Sequence, residues 1–288
     1  MIFPMEISLT NPLLWIVVYL IITAIRKFAA SKRQGAQHNK LIEKAAVYKK
    51  GIDDEFDKFM KDHAKDIPNE HIKKSVGGCA NLADLQSGLR DNKFTSVQLL
   101  MYYIERCYSY GRALNLVTQN NFAAAFEMAK QCDLVRQDPQ KLKVALEQCE
   151  GDGLLYGVPV SFKDYIFLKG TRNTLGCINL LDYVHEEEGL LEIMIKKNGG
   201  IPFVKTNNPM LLLSMESYNR IYGRAMNPIN HDRVPGGSSG GCAGLVCSDG
   251  TPLSIGSDIG GSIRGPASFC GVYGFKGTPH RVSVTYNI

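Results

Sequence analysis

The eight cysteines form no C-x-x-C pair, and no histidine stands at zinc-ligand spacing from them. This excludes a zinc module and a dithiol redox motif, and it leads to an expectation of reduced thiols in a cytosolic compartment, most of them small core residues. The basic residues also lack a pattern: 33 Lys and Arg against 28 Asp and Glu give a net charge of +5, spread along the chain without aromatic interleaving. No nucleic-acid surface is therefore expected. No Gly-Lys-Ser or Gly-Lys-Thr follows the glycine-rich stretch, which excludes a phosphate loop. Neither a metal nor a cofactor is expected. What the chain does have is bulk: 288 residues, 44% of them hydrophobic, suffice for a large core in one α/β domain or two smaller ones.

Leu9 to Ile25 reads LTNPLLWIVVYLIITAI and is followed at once by Arg26, Lys27, Lys32 and Arg33. A cleaved signal peptide has its basic residues before the apolar core and a small-x-small site after it, so an uncleaved membrane anchor is favoured. The positive charge on the C-terminal side places the remainder in the cytosol, and Trp15 and Tyr19 suit an interfacial or simply a lipid-facing position. The run is near the lower limit for spanning a bilayer, so a buried first helix is the alternative. Three regions follow: an anchor over residues 1–30, a connecting helical region over 31–78, and a main domain over 79–288.

In the connecting region, Leu41, Ile42, Ala45, Tyr48, Ile52, Phe56 and Phe59 have the spacing of an amphipathic helix, with Gly51 as a break. Helices are expected over 80–90 and 95–110, the second opened by a capping box of Thr95 and Gln98. A strand over 114–118 and an alanine-rich helix over 121–135 come next. LLYGVPVSFKD is a strand that delivers Lys163 near its end. A helix over 186–198, closed by Gly199 and Gly200, leads to the strand IPFVKTN. This alternation predicts a mainly parallel sheet covered by helices.

The densest chemistry lies in Pro235 to Gly271, PGGSSGGCAGLVCSDGTPLSIGSDIGGSIRGPASFCG. Paired glycines let backbone approach a ligand and let N–H groups converge, so a serine beside them is a candidate nucleophile with its oxyanion donors at hand. A flexible Gly/Ser linker would lack the apolar runs, Asp258 and Arg264. Residues 236–241 contain G-x-S-x-G in two registers, yet they follow the polar NPINHDRVP instead of an apolar strand, which fits a nucleophile elbow poorly. Histidine is the usual base, but His38, His63, His71, His185, His231 and His280 all sit in polar surroundings and read as solvated.

Lys163 in GVPVSFKD, Ser238 in PGGSSGG and Ser262 in GSDIGGSIRGPASFCG resemble, in kind and in order, the motifs of the amidase signature family. The resemblance covers roughly Ala80 onward, and the N-terminal anchor brings it nearest to the membrane-bound fatty acid amide hydrolases. It implies an α/β fold with a mixed, mainly parallel sheet, and hydrolysis of fatty acid amides (N-acylethanolamines or primary fatty amides) through an acyl-enzyme. Ser262 would attack the carbonyl, Ser238 would take its proton, and a neutral Lys163 would take the proton of Ser238. The N–H groups of Ile259, Gly260, Gly261 and Ser262 would hold the oxyanion; one such donor is worth roughly 100- to 1,000-fold in rate. Asp258 and Arg264 would brace the loop, Ser239 would support it, and Cys270 would be structural. KTNNPMLLLS resembles an acyl-pocket lining, with Leu212 where the mammalian hydrolase has methionine. The implied partners are a lipid amide and a bilayer, an endomembrane for preference, with a homodimer also allowed.

The chain departs from the family at Gly277-Thr278-Pro279, and the family's domain continues well beyond Ile288, so an incomplete domain is expected. Two other readings stand beside the active membrane amidase: a fragment or pseudoenzyme that acts by binding, and a soluble-type amidase such as a glutaminyl-tRNA amidotransferase subunit. The anchor argues against the last.

Overall fold

The computed structural model describes residues 12–279, 281 and 282. Two compact units divide the chain between residues 44 and 45. The first is occupied by the leading part of helix α1 (Pro12–Asp62). Along it Tyr19, Leu20, Ile21, Ile22, Ile25 and Phe28 are exposed, and Lys32 Nζ lies 5.0 Å above the Phe28 ring. No helix among the described residues is long and apolar enough to cross a membrane. Residues 1–11 of the expected anchor lie outside the described residues.

Gly51 does not break α1. Its Cβ position faces open space, and the cost of one exposed glycine, about 1 kcal/mol relative to alanine, is small for a long helix. In the second unit the end of α1 buries Phe56, whose ring meets Phe122 edge-on at 4.8 Å. Part of the expected connecting region, residues 31–78, thus contributes to the main core, through Phe56 and through Val76 of α2 (Glu70–Gly77).

Helix α3 (Leu82–Arg90) is capped by Asn81, and α4 (Ser96–Arg106) opens with the expected capping box, both the Thr95 and the Gln98 bond being formed. A π-turn at Cys107–Gly111 follows, then strand β1 (Val117–Asn120) and helix α5 (Phe122–Arg136). Helix α6 (Pro139–Glu147) carries Asp138 as its cap. Then come β2 (Pro159–Lys163), α7 (Leu190–Lys197), β3 (Ile201–Thr206), a small hairpin of β4 (Tyr218–Asn219) and β5 (Gly223–Arg224), α8 (Gly240–Cys247), β6 (Ser254–Ile255) and α9 (Arg264–Cys270).

The main sheet has the order β1-β3-β2-β6. Only β1 runs antiparallel, so the sheet is mixed and mainly parallel, as expected. Every residue of β2 and β3 is buried, which is why both read as nearly continuous apolar runs. One face packs Val160 and Phe162 against Leu191 and Ile195 of α7. Parallel pairing sets Phe162 beside Lys205 and Lys163 beside Thr206, so the two lysines leave the sheet on opposite faces. Lys163 emerges on the side covered by α8.

Candidate active site

Lys163 is the last residue of β2 and is 0% exposed. Its Nζ lies 2.7 Å from Ser238 Oγ and 3.0 Å from Ser257 Oγ, and 5.6 Å from the centroid of the Tyr165 ring. Burial pushes its pKa down from 10.5 to about 8, against smaller upward pulls from Cys242 and Asp258. Ser238 is 2% exposed and reaches the lysine because α8 lies directly on the sheet. A Cβ at Gly241 would come within 2.3 Å of Asn207 N and 2.7 Å of Leu116 O, so only glycine permits this approach. A Cβ at Gly237 would come within 2.4 Å of Ser214 O, which packs the 214–216 segment against the serine turn. The Gly237-Ser238 peptide is cis.

The loop that carries Ser262, the expected nucleophile, is organised by two residues. Asp258 accepts the N–H groups of Gly261 (2.7 Å), Ile263 (3.1 Å) and Arg264 (3.2 Å), and the Arg264 guanidinium holds both its oxygens at 2.9 and 3.0 Å. The Asp258 side chain is 0% exposed, and the Arg264 bonds followed by the backbone donors hold its pKa well below the usual carboxylate range despite burial. Ser239 ties the loop to the serine turn: its hydroxyl donates to Ser257 O at 3.2 Å and accepts the Ser257 N–H at 3.4 Å, while its own N–H donates to Ser262 O at 3.1 Å. Cys270 is buried with its thiol toward Pro235 O at 3.5 Å.

The structure therefore brings Lys163 and Ser238 together and holds the Ser262 backbone beside Ser239. Among the described residues no hydrogen bond joins the Ser262 and Ser238 hydroxyls. The turn is open on one side: Ile259 is fully exposed, and Cβ positions at Gly260 and Gly261 meet nothing. The Gly261 N–H is committed to Asp258, whereas the N–H groups of Ile259, Gly260 and Ser262 donate to no protein acceptor among the described residues.

Leu212 is half-buried in a turn with φ of 61°, next to Leu211 with φ of 53°. Met215, not singled out by sequence, lies nearer the loop, its Cε within 3.2 Å of a Cβ at Gly265. Ser257 and Tyr165 were also missed; both lie in or beside the quoted motifs, but only the pairing of β6 with β2 places them around Lys163. His185 is not solvated: it is 7% exposed and stacks on Phe167 at 3.7 Å. His63 pairs with Asp66 at 3.0 Å, and His280 lies outside the described residues. Among the described residues no cluster of His, Cys, Asp or Glu is arranged to hold a metal ion.

A family model described as Amidase matches residues 98–286, a span that includes Lys163, Ser238 and Ser262. The chain belongs to the amidase family. As an amidase-family chain it is 37% identical to vitamin D3 hydroxylase-associated protein of Gallus gallus over 202 residues, 70% of this chain and 40% of that one. Fatty-acid amide hydrolase 1 of Sus scrofa is 36% identical over 202 residues, covering 70% and 32% of the two chains. A glutamyl-tRNA(Gln) amidotransferase subunit of Nitrosococcus oceani is 33% identical over 203 residues, covering 70% and 40%. The chain thus spans 32% to 40% of the length of these relatives. A solved fatty acid amide hydrolase shares the fold at a TM-score of 0.66, with 21% identity, over 80% of this chain and 43% of the other. The mixed sheet with covering helices is therefore the amidase signature α/β fold.

Proposed function

We propose that this amidase-family chain hydrolyses fatty acid amides, N-acylethanolamines or primary fatty amides, at a site formed by Ser262, Ser238 and Lys163. The observation that carries the reading is a fully buried lysine, its pKa lowered by burial to about 8 so that its neutral form is far more accessible than for an exposed lysine, with its nitrogen 2.7 Å from a serine on the nucleophile side. Ser262 Oγ forms a bond to the amide carbon as its proton passes to Ser238 and the Ser238 proton passes to Lys163 Nζ. The carbonyl oxygen takes the negative charge against the free N–H groups of Ile259, Gly260 and Ser262. When the C–N bond breaks, the lysine returns its proton through Ser238 to the leaving nitrogen, and an acyl-enzyme remains for water. Substrate entry closes the gap between the two serine hydroxyls, since catalytic hydrogen bonds commonly tighten only in the loaded site.

The fatty acyl class is supported by the relative named fatty-acid amide hydrolase 1 and by Met210, Leu211, Leu213 and Met215, exposed apolar side chains on the segment that adjoins Gly237. In the same reading the N-terminal apolar run holds the protein on an endomembrane with the remainder in the cytosol. The test is hydrolysis of a long-chain acyl anilide, with labelling by a serine-directed fluorophosphonate, on the full chain and on Ser262→Ala. Turnover and labelling that both vanish in Ser262→Ala are expected. Labelling that persists in that variant would overturn the assignment, and a chain inert in both assays would favour a binding role.

A further inference from the structure

The relay asks more of Lys163 than neutrality. A neutral amine has two N–H bonds and one lone pair, and only the lone pair can take the Ser238 proton. With Nζ 2.7 Å from Ser238 Oγ, an amine free to rotate would often present an N–H to that oxygen and block the transfer. The second hydroxyl at the same nitrogen resolves this. Ser257 Oγ is 3.0 Å from Nζ and has no role in the relay itself.

We propose that Ser257 is a positioning residue for Lys163: its hydroxyl accepts one N–H of the amine and turns the lone pair toward Ser238, while the Tyr165 ring faces the ammonium that forms. The proposal rests on Lys163 being the base. Its geometry is built in three ways. Pairing of Phe162 with Ile255 carries the chain past the end of β2, so Ser257 falls where Lys163 leaves the strand. The Ser257 backbone is clamped on both sides by the Ser239 hydroxyl, at 3.2 and 3.4 Å, which fixes where its Oγ sits. Tyr165, half-buried two residues after the lysine, turns its ring face to Nζ at 5.6 Å and engages the Ser257 side chain through its hydroxyl. Once protonated, Lys163 has three donors, and Ser238, Ser257 and the aromatic face supply three directions for them.

Ser239 then acts on the base at one remove, by holding Ser257, as well as on the nucleophile loop through Ser262 O. One serine thereby couples the placement of base and nucleophile.

The experiment follows the rate of Ser262 labelling by a fluorophosphonate against pH in the full chain, for Ser257→Ala, Ser257→Thr, Tyr165→Leu and Lys163→Ala. Ser257→Ala is expected to slow labelling by roughly 10- to 100-fold, the scale of a misaligned reacting group. It also moves the alkaline inflection to lower pH, because the ammonium loses an acceptor. Ser257→Thr keeps the hydroxyl and restores both rate and inflection. Tyr165→Leu, which removes both the ring face and the hydroxyl that engages Ser257, also lowers the inflection. Wild-type rate and inflection in Ser257→Ala, or equal slowing in the alanine and threonine variants with no movement of the inflection, would overturn the proposal. The two readings fail separately: a Lys163→Ala variant that labels at the wild-type rate removes the base itself, whereas slow Lys163→Ala beside normal Ser257→Ala removes only the positioning.

Discussion

Lys163 and Lys205 are both wholly buried, and each is held near pKa 8 by desolvation. Lys205 is satisfied by Arg172 O at 2.8 Å and Asn173 Oδ1 at 2.6 Å, with Asp164 and Glu192 nearby, and serves as a structural post. Lys163 has serine hydroxyls and, among the described residues, no carboxylate in contact, the setting of a base. Its folded pKa lies below its unfolded value of 10.5, so between about pH 8 and 10.5 the unfolded chain binds a proton that the folded chain does not. The fold therefore gains stability as pH rises through that window, and below it carries a constant penalty. Lys163→Met is expected to raise stability at pH 7 by about 1–3 kcal/mol, the upper end being the pKa difference converted to free energy and the lower allowing for the hydroxyls left without a partner. That advantage shrinks from about pH 8 upward, while turnover is lost. Urea unfolding of wild type and variant at pH 7 and 10 checks this; using the difference removes the opposing titration of buried Tyr and Cys. A variant less stable than wild type at both values would contradict it. From sequence, Lys163 was placed only near the end of a strand, and its neutral state came from the resemblance carried by three motifs in order. Ser257 was less legible still, since its role exists only through strand register.

At the scale of elements, what was legible was local. The Thr95–Gln98 box is written in four consecutive residues, and its helix begins where they place it. The same kind of signal, Asp138 before Pro139, marks α6, where the Asp138 carboxylate accepts the N–H groups of Gln140 and Lys141; read for its cap, that segment would have been found. Gly51 misled because a glycine breaks a helix only where the surroundings need a turn. The glycines around Ser238 and Ser262 have different physical reasons: Gly241 is there for want of space, and Gly260 and Gly261 stand in open space. Helix α1 presents Tyr19, Leu20, Ile21, Ile22, Ile25 and Phe28 to the outside ahead of Lys32 and Arg33, a pattern that suits attachment to a membrane. Alkaline carbonate extraction of the full chain is expected to leave it in the pellet. Recovery in the soluble fraction would contradict the anchor.

For the molecule as a whole, the mainly parallel sheet and its helical layers followed from alternating strand and helix patterns and its mixed character from the family resemblance, but the strand order β1-β3-β2-β6 did not, since neighbours in a parallel sheet need not be neighbours in sequence. The sheet brings the end of β2 and the turns flanking α8 to one place, and the site is the consequence. The central claim is that Lys163 works as a neutral base through Ser238. The most direct measurement is the pH dependence of acyl anilide hydrolysis by the full chain and by a folded Lys163→Ala variant. The account predicts a rise with an inflection near pH 8 in the wild type, and in the variant a rate lower by roughly 100- to 10,000-fold without that inflection. An unchanged rate and inflection in the variant would contradict it.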